Sequence, residues 1–255
     1  MDEPKLFSVI TSSFNHRMYM KDWIQSIIKQ KYRPLEIIFV DDCSVTHDID
    51  LFKEYYELLD KNNISYKSYR NPERMHCASS YLKALELSTG QYIGVVDSDD
   101  ALLENAISTV MNAYNSNPDI GFIYTQFMWC DKRLKSARKG FCKMPQKNMS
   151  LLDSEFTIKT RHCYSHWRTF KRSDKSETLF KEGMKCSIDK YMGYRLEEIY
   201  NGGFINRACY QYRNGIKSGV TKTEKSLNTW ALVRKGFKKK RKNEKIKPFP
   251  IRLIK

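Results

Sequence analysis

Three carboxylates crowd into four consecutive positions of this chain, Asp97, Asp99 and Asp100, with Ser98 between them. Carboxylates held that close repel one another and call for a compensating cation, which a hard divalent ion bridging to phosphate oxygens supplies. Oxygen donors with no soft ligand nearby suit Mg or Mn better than zinc or copper. The plainer alternative is that Asp100 caps the following helix while its neighbours are solvated. Other residues whose types suit chemistry stand where apolar runs end. Thr11 closes Phe7–Thr11, Asp41 and Asp42 follow Leu35–Val40, and Asp189 opens an amphipathic stretch reaching Leu196. Arg70, Arg74 and His76 form a basic group between two predicted elements.

The elements that must position these residues alternate. Phe7–Thr11, Leu35–Val40, Ile64–Tyr69, Tyr92–Val96 and Ile120–Trp129 read as strands. Met20, Trp23, Ile24, Ile27 and Ile28 recur at helical spacing, as do apolar residues in 51–59, 78–87 and 107–114. Gly90 suits the position just past the third of these helices. Alternating strands and helices predict an α/β fold with a mainly parallel, twisted sheet flanked by helices. Right-handed crossovers bring the carboxyl ends of the strands to one edge, so Thr11, Asp42 and the acids after Val96 are expected to share a crevice. After Trp129 the pattern weakens to a basic irregular stretch over 132–150, short strands near Trp167–Lys171 and Cys209–Tyr212, and a helix at Ile188–Leu196.

Four segments carry a resemblance. Phe7–Asn15 (FSVITSSFN), Ile38–Ser44 (IFVDDCS), Gly90–Asp100 (GQYIGVVDSDD) and Tyr210–Arg213 (YQYR) look like the successive signatures of family 2 glycosyltransferases of the GT-A fold. The resemblance covers residues 6–220, and its order and spacing make it more specific than any one segment. It implies an inverting, metal-dependent hexosyl transfer from a nucleotide-diphosphate sugar, UDP being the expected nucleotide, to a saccharide or lipid-linked hydroxyl in cell-surface polysaccharide synthesis. Carried over, Thr11 contacts the base or ribose and Asp42 accepts from the base N3–H. Arg74 and His76 lie near the diphosphate, Asp97 and Asp99 hold donor and ion, and Asp99 or Asp100 ligates the divalent cation, Mn or Mg. The family's base is an acidic pair opening a helix; here Ile188 replaces the first acid, which leaves Asp189 as the expected catalytic base, with Glu197 and Glu198 behind it. The His that some relatives carry after Tyr-Arg is absent from Arg213–Lys217. His162 and His166 stand four apart without a third ligand at a recognisable spacing, and Trp167, Tyr191, Tyr194 and Tyr200 could stack on sugars or simply pack.

Composition narrows the rest. The chain has 255 residues and a formal charge of +16, but residues 232–255 hold eleven basic side chains against Glu244 alone. The expected organisation is a GT-A domain over 1–217, with a nucleotide-sugar half (1–129) and an acceptor half (130–217), followed by a basic amphipathic segment over 218–255. Trp230, Leu232, Val233, Phe237 and Phe249 interleave with those cations, which suits an anionic membrane surface. Met1–Lys5 is polar and no apolar run approaches about 18 residues, so a cytoplasmic enzyme, peripheral on the membrane's cytoplasmic face, is the expectation. Seven scattered cysteines without a CxxC pair fit reduced, structural thiols. A nucleic-acid-binding protein would use Lys238–Lys242, but no recognition motif accompanies that run, and no nucleic-acid partner is expected. A sugar-nucleotide pyrophosphorylase would need a glycine-rich loop after the first strand, and Thr11–Arg17 contains no glycine.

Overall fold

The computed structural model describes residues 3–135, 137–145, 150–154, 164–216 and 224–254. His162 and Lys217 lie outside the described residues, as does the side chain of Trp230. In chain order the elements are β1 (Phe7–Ser13), α1 (Met20–Ile28), β2 (Leu35–Asp41), α2 (Asp48–Lys53), α3 (Tyr56–Lys61), β3 (Ile64–Arg70), α4 (His76–Leu87), β4 (Tyr92–Val95) and β5 (Ala101–Leu102). There follow α5 (Ala106–Ser116), β6 (Ile120–Cys130), β7 (Arg138–Lys139), α6 (Leu151–Ser154), β8 (Arg168–Lys171), α7 (Ile188–Ile199), β9 (Asn201–Arg213), α8 (Glu224–Asn243) and β10 (Ile251–Ile254).

One sheet runs in the order β10-β9-β6-β8-β4-β1-β2-β3, with β5 attached to β9 and β7 to β6. β1 is central to the first half and pairs in parallel with both β2 and β4; every residue of β2 is buried, as a strand covered on both faces requires. β3, at the edge, alternates buried and exposed positions. Buried Met20, Trp23, Ile24 and Ile27 fix α1 on this sheet, with Trp23 5.6 Å from Phe39 of β2. Each such apolar side chain contributes on the order of 2 kcal/mol. The predicted second helix is divided into α2 and α3.

The second half departs further from the sequence pattern. β8 inserts antiparallel between β4 and β6, so the two halves of the sheet meet through a short strand that precedes α7. Gly94 of β4 faces Trp167 there; a Cβ would lie 2.6 Å from the indole, so only glycine lets the two strands close. Gly90 does not act as a helix cap. Helix α4 ends at Leu87 with extended Ser88 as its cap, and a Cβ on Gly90 would fall 2.3 Å from Ser8 Oγ, which accepts the Gly90 N–H at 2.9 Å. The predicted short late strand is thirteen residues long, β9, and pairs in parallel with β6.

The basic segment over 218–255 is not a detached appendage. Its end, β10, joins the sheet in parallel with β9, and α8 docks against α7 through buried Arg241, whose guanidinium meets Glu197 and Glu198 at 2.8 Å each. Among the described residues no helix is long and apolar enough to cross a membrane.

Candidate active site

The chain leaves β4 in a tight turn, with the Asp100 N–H donating to the Asp97 carbonyl at 3.1 Å. That turn separates the three acids. Asp100 is buried and accepts from the Tyr210 hydroxyl at 2.8 Å and from the Arg213 N–H at 2.7 Å. The Arg213 side chain also donates to the Asp99 carbonyl and to Asp22 of α1. The Tyr-Gln-Tyr-Arg segment of β9 is therefore a clamp on the acid loop. Burial, then the neighbouring Asp99 and Asp97, pushes Asp100 well above the usual carboxylate range.

Asp97 retains 29% side-chain exposure and lies where β4 meets β8. The Tyr81 hydroxyl donates to it at 2.5 Å and the Arg168 guanidinium at 3.1 Å, with His166 Nδ1 3.6 Å away. Burial alone would raise Asp97, but Arg168 and His166 outweigh it and hold the carboxyl below its ordinary value. His166 is driven down to about 4 by burial and then by Arg168, so its imidazole is neutral at pH 7. Arg168 Nη2 lies 3.0 Å from His166 Nδ1, and because a guanidinium can only donate, the ring proton is assigned to Nε2. Half-buried Asp99 has no side-chain hydrogen bond or ion pair among the described residues. Burial raises it, His16 opposes, and Asp97 raises it further.

Among the described residues, donor atoms of Asp97, Asp100 and His166 lie within 4.8 Å of one another, a spacing that could hold a metal ion. Two carboxylates and an imidazole fit a divalent cation, and one would relieve Asp100, which burial and the neighbouring Asp99 and Asp97 raise. The three donors are not equally available: Asp100 is buried and bonded at both oxygens, and His166 Nδ1 is engaged by Arg168. Asp97 is likewise bonded at both oxygens, by Tyr81 and Arg168, but keeps 29% side-chain exposure, and Asp99 is half-buried.

The first-half residues sit on the same sheet edge. Asp42, buried at the end of β2, accepts at one oxygen from Asn71 Nδ2 and the Met75 N–H, both at 2.8 Å; its second oxygen has no hydrogen bond among the described residues. Thr11 is fully buried and its hydroxyl donates to the Val96 carbonyl at 2.8 Å, tying β1 to the root of the acid loop. Arg70 is fixed on buried Asp41 at 2.6 Å. Exposed Arg74 lies over the Phe14 ring at 3.9 Å. His76, at the start of α4 with φ +66°, is lowered by burial, then by Lys185 and Arg74, so three basic side chains converge there.

Asp189 lies in the first turn of α7, as the sequence leads one to expect, and in the field of Lys190, Arg168 and His166. Burial would raise its carboxyl, but Lys190, Arg168 and His166 keep it below the usual range, an anion at neutral pH. Glu197 and Glu198 are removed from this role by packing. Glu197 accepts the N–H groups of Leu151 and Leu152 and pairs with Arg241, while Glu198 binds Arg195, Lys240 and Arg241. Trp167 and Tyr194 are buried in the core. Sequence reasoning missed Tyr81, Arg168 and the pairing of His166 with Asp97; it read the short strand near Trp167–Lys171 but not that the strand pairs with β4 and so brings Arg168 to Asp97.

Comparison with known proteins comes to the same place. A family model described as "Glycosyl transferase family 2" matches residues 8–178. Chondroitin synthase from Escherichia coli is 24% identical over 88% of this chain, which covers 30% of that protein. The minor teichoic acid biosynthesis protein GgaB of Bacillus subtilis is 26% identical over 88% of the chain, covering 25% of its own length. The chain thus spans between a quarter and a third of these relatives. Among solved structures, S. aureus TarS 1-349 in complex with UDP-GlcNAc superposes with a TM-score of 0.66 at 17% identity, over 89% of this chain and 66% of that one. That likeness speaks to the GT-A fold alone.

Proposed function

This chain belongs to glycosyl transferase family 2, and from that premise we propose that it is an inverting, metal-dependent transferase. It moves a sugar from a UDP-sugar to a hydroxyl of a saccharide or lipid-linked acceptor during cell-surface polysaccharide synthesis. The observation that supports this reading is that Asp97, at the head of the crowded acids after β4, and anionic Asp189 both lie in the field of Arg168 and His166. TarS complexes with UDP-GlcNAc and UDP, and relatives named for teichoic acid and chondroitin synthesis, support the donor and the product class.

The free oxygen of Asp42 accepts the base N3–H, and Thr11 serves by anchoring the strand end. Arg74 and His76 face the diphosphate. Asp97 and Asp99 would hold Mn or Mg, and the ion, when bound, neutralises charge on the departing diphosphate. Asp100 keeps the loop on β9. Asp189 takes the acceptor's hydroxyl proton as that oxygen attacks the anomeric carbon from the face opposite UDP; the carbon–oxygen bond to UDP breaks and UDP leaves. The outward cations of α8, Lys235, Lys239 and Lys242, offer a membrane-facing surface on the cytoplasmic side. Calorimetry of UDP with Mn²⁺ is the test: binding abolished by chelation supports the site, and equal affinity with and without the ion refutes its metal dependence.

A further inference from the structure

A chain of aromatic rings leads out of the crevice. His166 stacks on Tyr212 at 5.1 Å between centroids, Tyr212 meets Trp129 at 5.3 Å, and Trp129 meets Phe141 at 5.9 Å. Phe141 is 40% exposed. These rings stand on β6, on β9 and just after β7, so the sheet holds them rigidly. β7 pairs Arg138 opposite Trp129, and its guanidinium lies over that indole at 5.5 Å. Residues 131–143 carry six basic side chains and Asp131 alone as an acid. Among the described residues Arg133, Lys135, Arg138 and Lys139 form no ion pair, and all four are exposed.

The two features fit one kind of ligand. Ring faces suit the C–H faces of sugars, and unpaired cations beside them suit a negative charge spaced along the same molecule. We propose that the β6–β7 hairpin, with Trp129, Phe141 and Tyr212 as platform and Arg138 as charge reader, binds an anionic saccharide acceptor, one bearing carboxylate or phosphate groups. This rests on the transferase reading and names its substrate class. The location follows from continuity: Tyr212 stacks on His166, whose Nδ1 lies 3.6 Å from Asp97. The platform therefore begins where donor and base meet. A nucleic acid would also meet cations and rings here, but the platform opens onto a sugar-transfer crevice, which favours a glycan.

Calorimetry on the full chain with saturating UDP and Mn²⁺, at physiological salt, tests this with three oligosaccharides of equal length. One alternates a uronic acid with an N-acetylhexosamine, one is a polyol-phosphate oligomer, and one is neutral. At least one charged probe should bind about tenfold tighter than the neutral one, and which of the two does so separates carboxylate from phosphate as the source. Arg138→Gln should cost the charged probe about tenfold and leave the neutral one unchanged, whereas Phe141→Ser should weaken both. Far-UV dichroism and melting report whether each variant is folded. Equal binding of charged and neutral probes, no binding of either charged probe, charged-probe affinity unchanged in Arg138→Gln, or equally tight binding of single-stranded DNA overturns the proposal. Failure of UDP itself to bind tells against the transferase reading instead.

Discussion

Asp99 and Asp100 are neighbours in the chain, yet only Asp100 is tied to β9 by its side chain, and alanine substitutions test the different roles proposed for them. Removing the Asp100 carboxylate strands two donors that it now satisfies, the Arg213 N–H at 2.7 Å and the Tyr210 hydroxyl at 2.8 Å. A buried donor left without a partner costs about 1–3 kcal/mol, so the pair costs about 2–6 kcal/mol. Relief of repulsion from Asp97 and Asp99 offsets part of this, leaving about 3 kcal/mol. For a chain of this size each kcal/mol moves the melting temperature by roughly 2–4 °C, so Asp100→Ala should melt about 6–12 °C lower. Asp99 is half-buried and has no side-chain partner to abandon, so Asp99→Ala should melt within about 2 °C of the parent. Affinity for UDP should show the reverse order. Asp99→Ala should lose at least about 100-fold in Mn²⁺-dependent UDP binding, the upper end of what even an outer-shell change costs at a metal site. Calorimetry gives the affinity and differential scanning calorimetry the melting point. If Asp100→Ala melts normally yet loses UDP, and Asp99→Ala binds it as before, the reasoning is wrong and Asp100 is the ligand.

Asp189→Asn should retain UDP affinity and lower transfer by at least ~100-fold, measured as product formed with a donor that the parent uses; near-normal turnover would move the base elsewhere. Arg241→Met leaves buried Glu197 without its cation, while Glu198 keeps Arg195 and Lys240, and should cost about 3–5 kcal/mol, read by denaturant melts. Because burial raises the Glu197 carboxyl to about 7, Arg241 matters most once that group is ionised; the deficit should widen as pH rises through about 7 and shrink below it. Full-length protein should pellet with anionic and not neutral vesicles and be released by high salt; equal pelleting with both kinds would refute a charge-driven contact.

The first half of the fold was legible because its strands are buried on both faces and its helices are amphipathic, two patterns that composition alone writes clearly. Leu35–Asp41 is apolar through Val40 apart from one acid, Glu36, and that acid is buried among Ser8, Thr89 and Gly90. In the second half the short strands at Trp167–Lys171 and Cys209–Tyr212 were legible, but not the place of β8 between β4 and β6 or the full length of β9, whose Asn-Gly-Gly start lacks a strand's period and is a strand because β6 completes its ladder. Gly90 illustrates the same limit, since helix-end chemistry and close approach of a neighbouring strand demand the same residue.

The basic C-terminal segment shows how far charge counting can mislead when packing is hidden. Eleven cations in 24 residues read as a free electrostatic anchor. In the structure Arg241 is buried against Glu197 and Glu198, Lys240 shares Glu198, and Arg252 pairs with Asp119. The same two glutamates looked from sequence like reserve catalytic bases. One packing contact thus removes both expectations at once: it takes cations from the surface and carboxylates from the crevice, and leaves Asp189 as the acid of α7 that meets Arg168 and His166. The consequence for the membrane contact is quantitative. At about 1 kcal/mol for each well-placed cation, the attraction to an anionic leaflet rests on Lys235, Lys239, Lys242, Lys245 and Lys247 rather than on all eleven, and neutralising the first three together should abolish pelleting while leaving the fold, held by Arg241, intact.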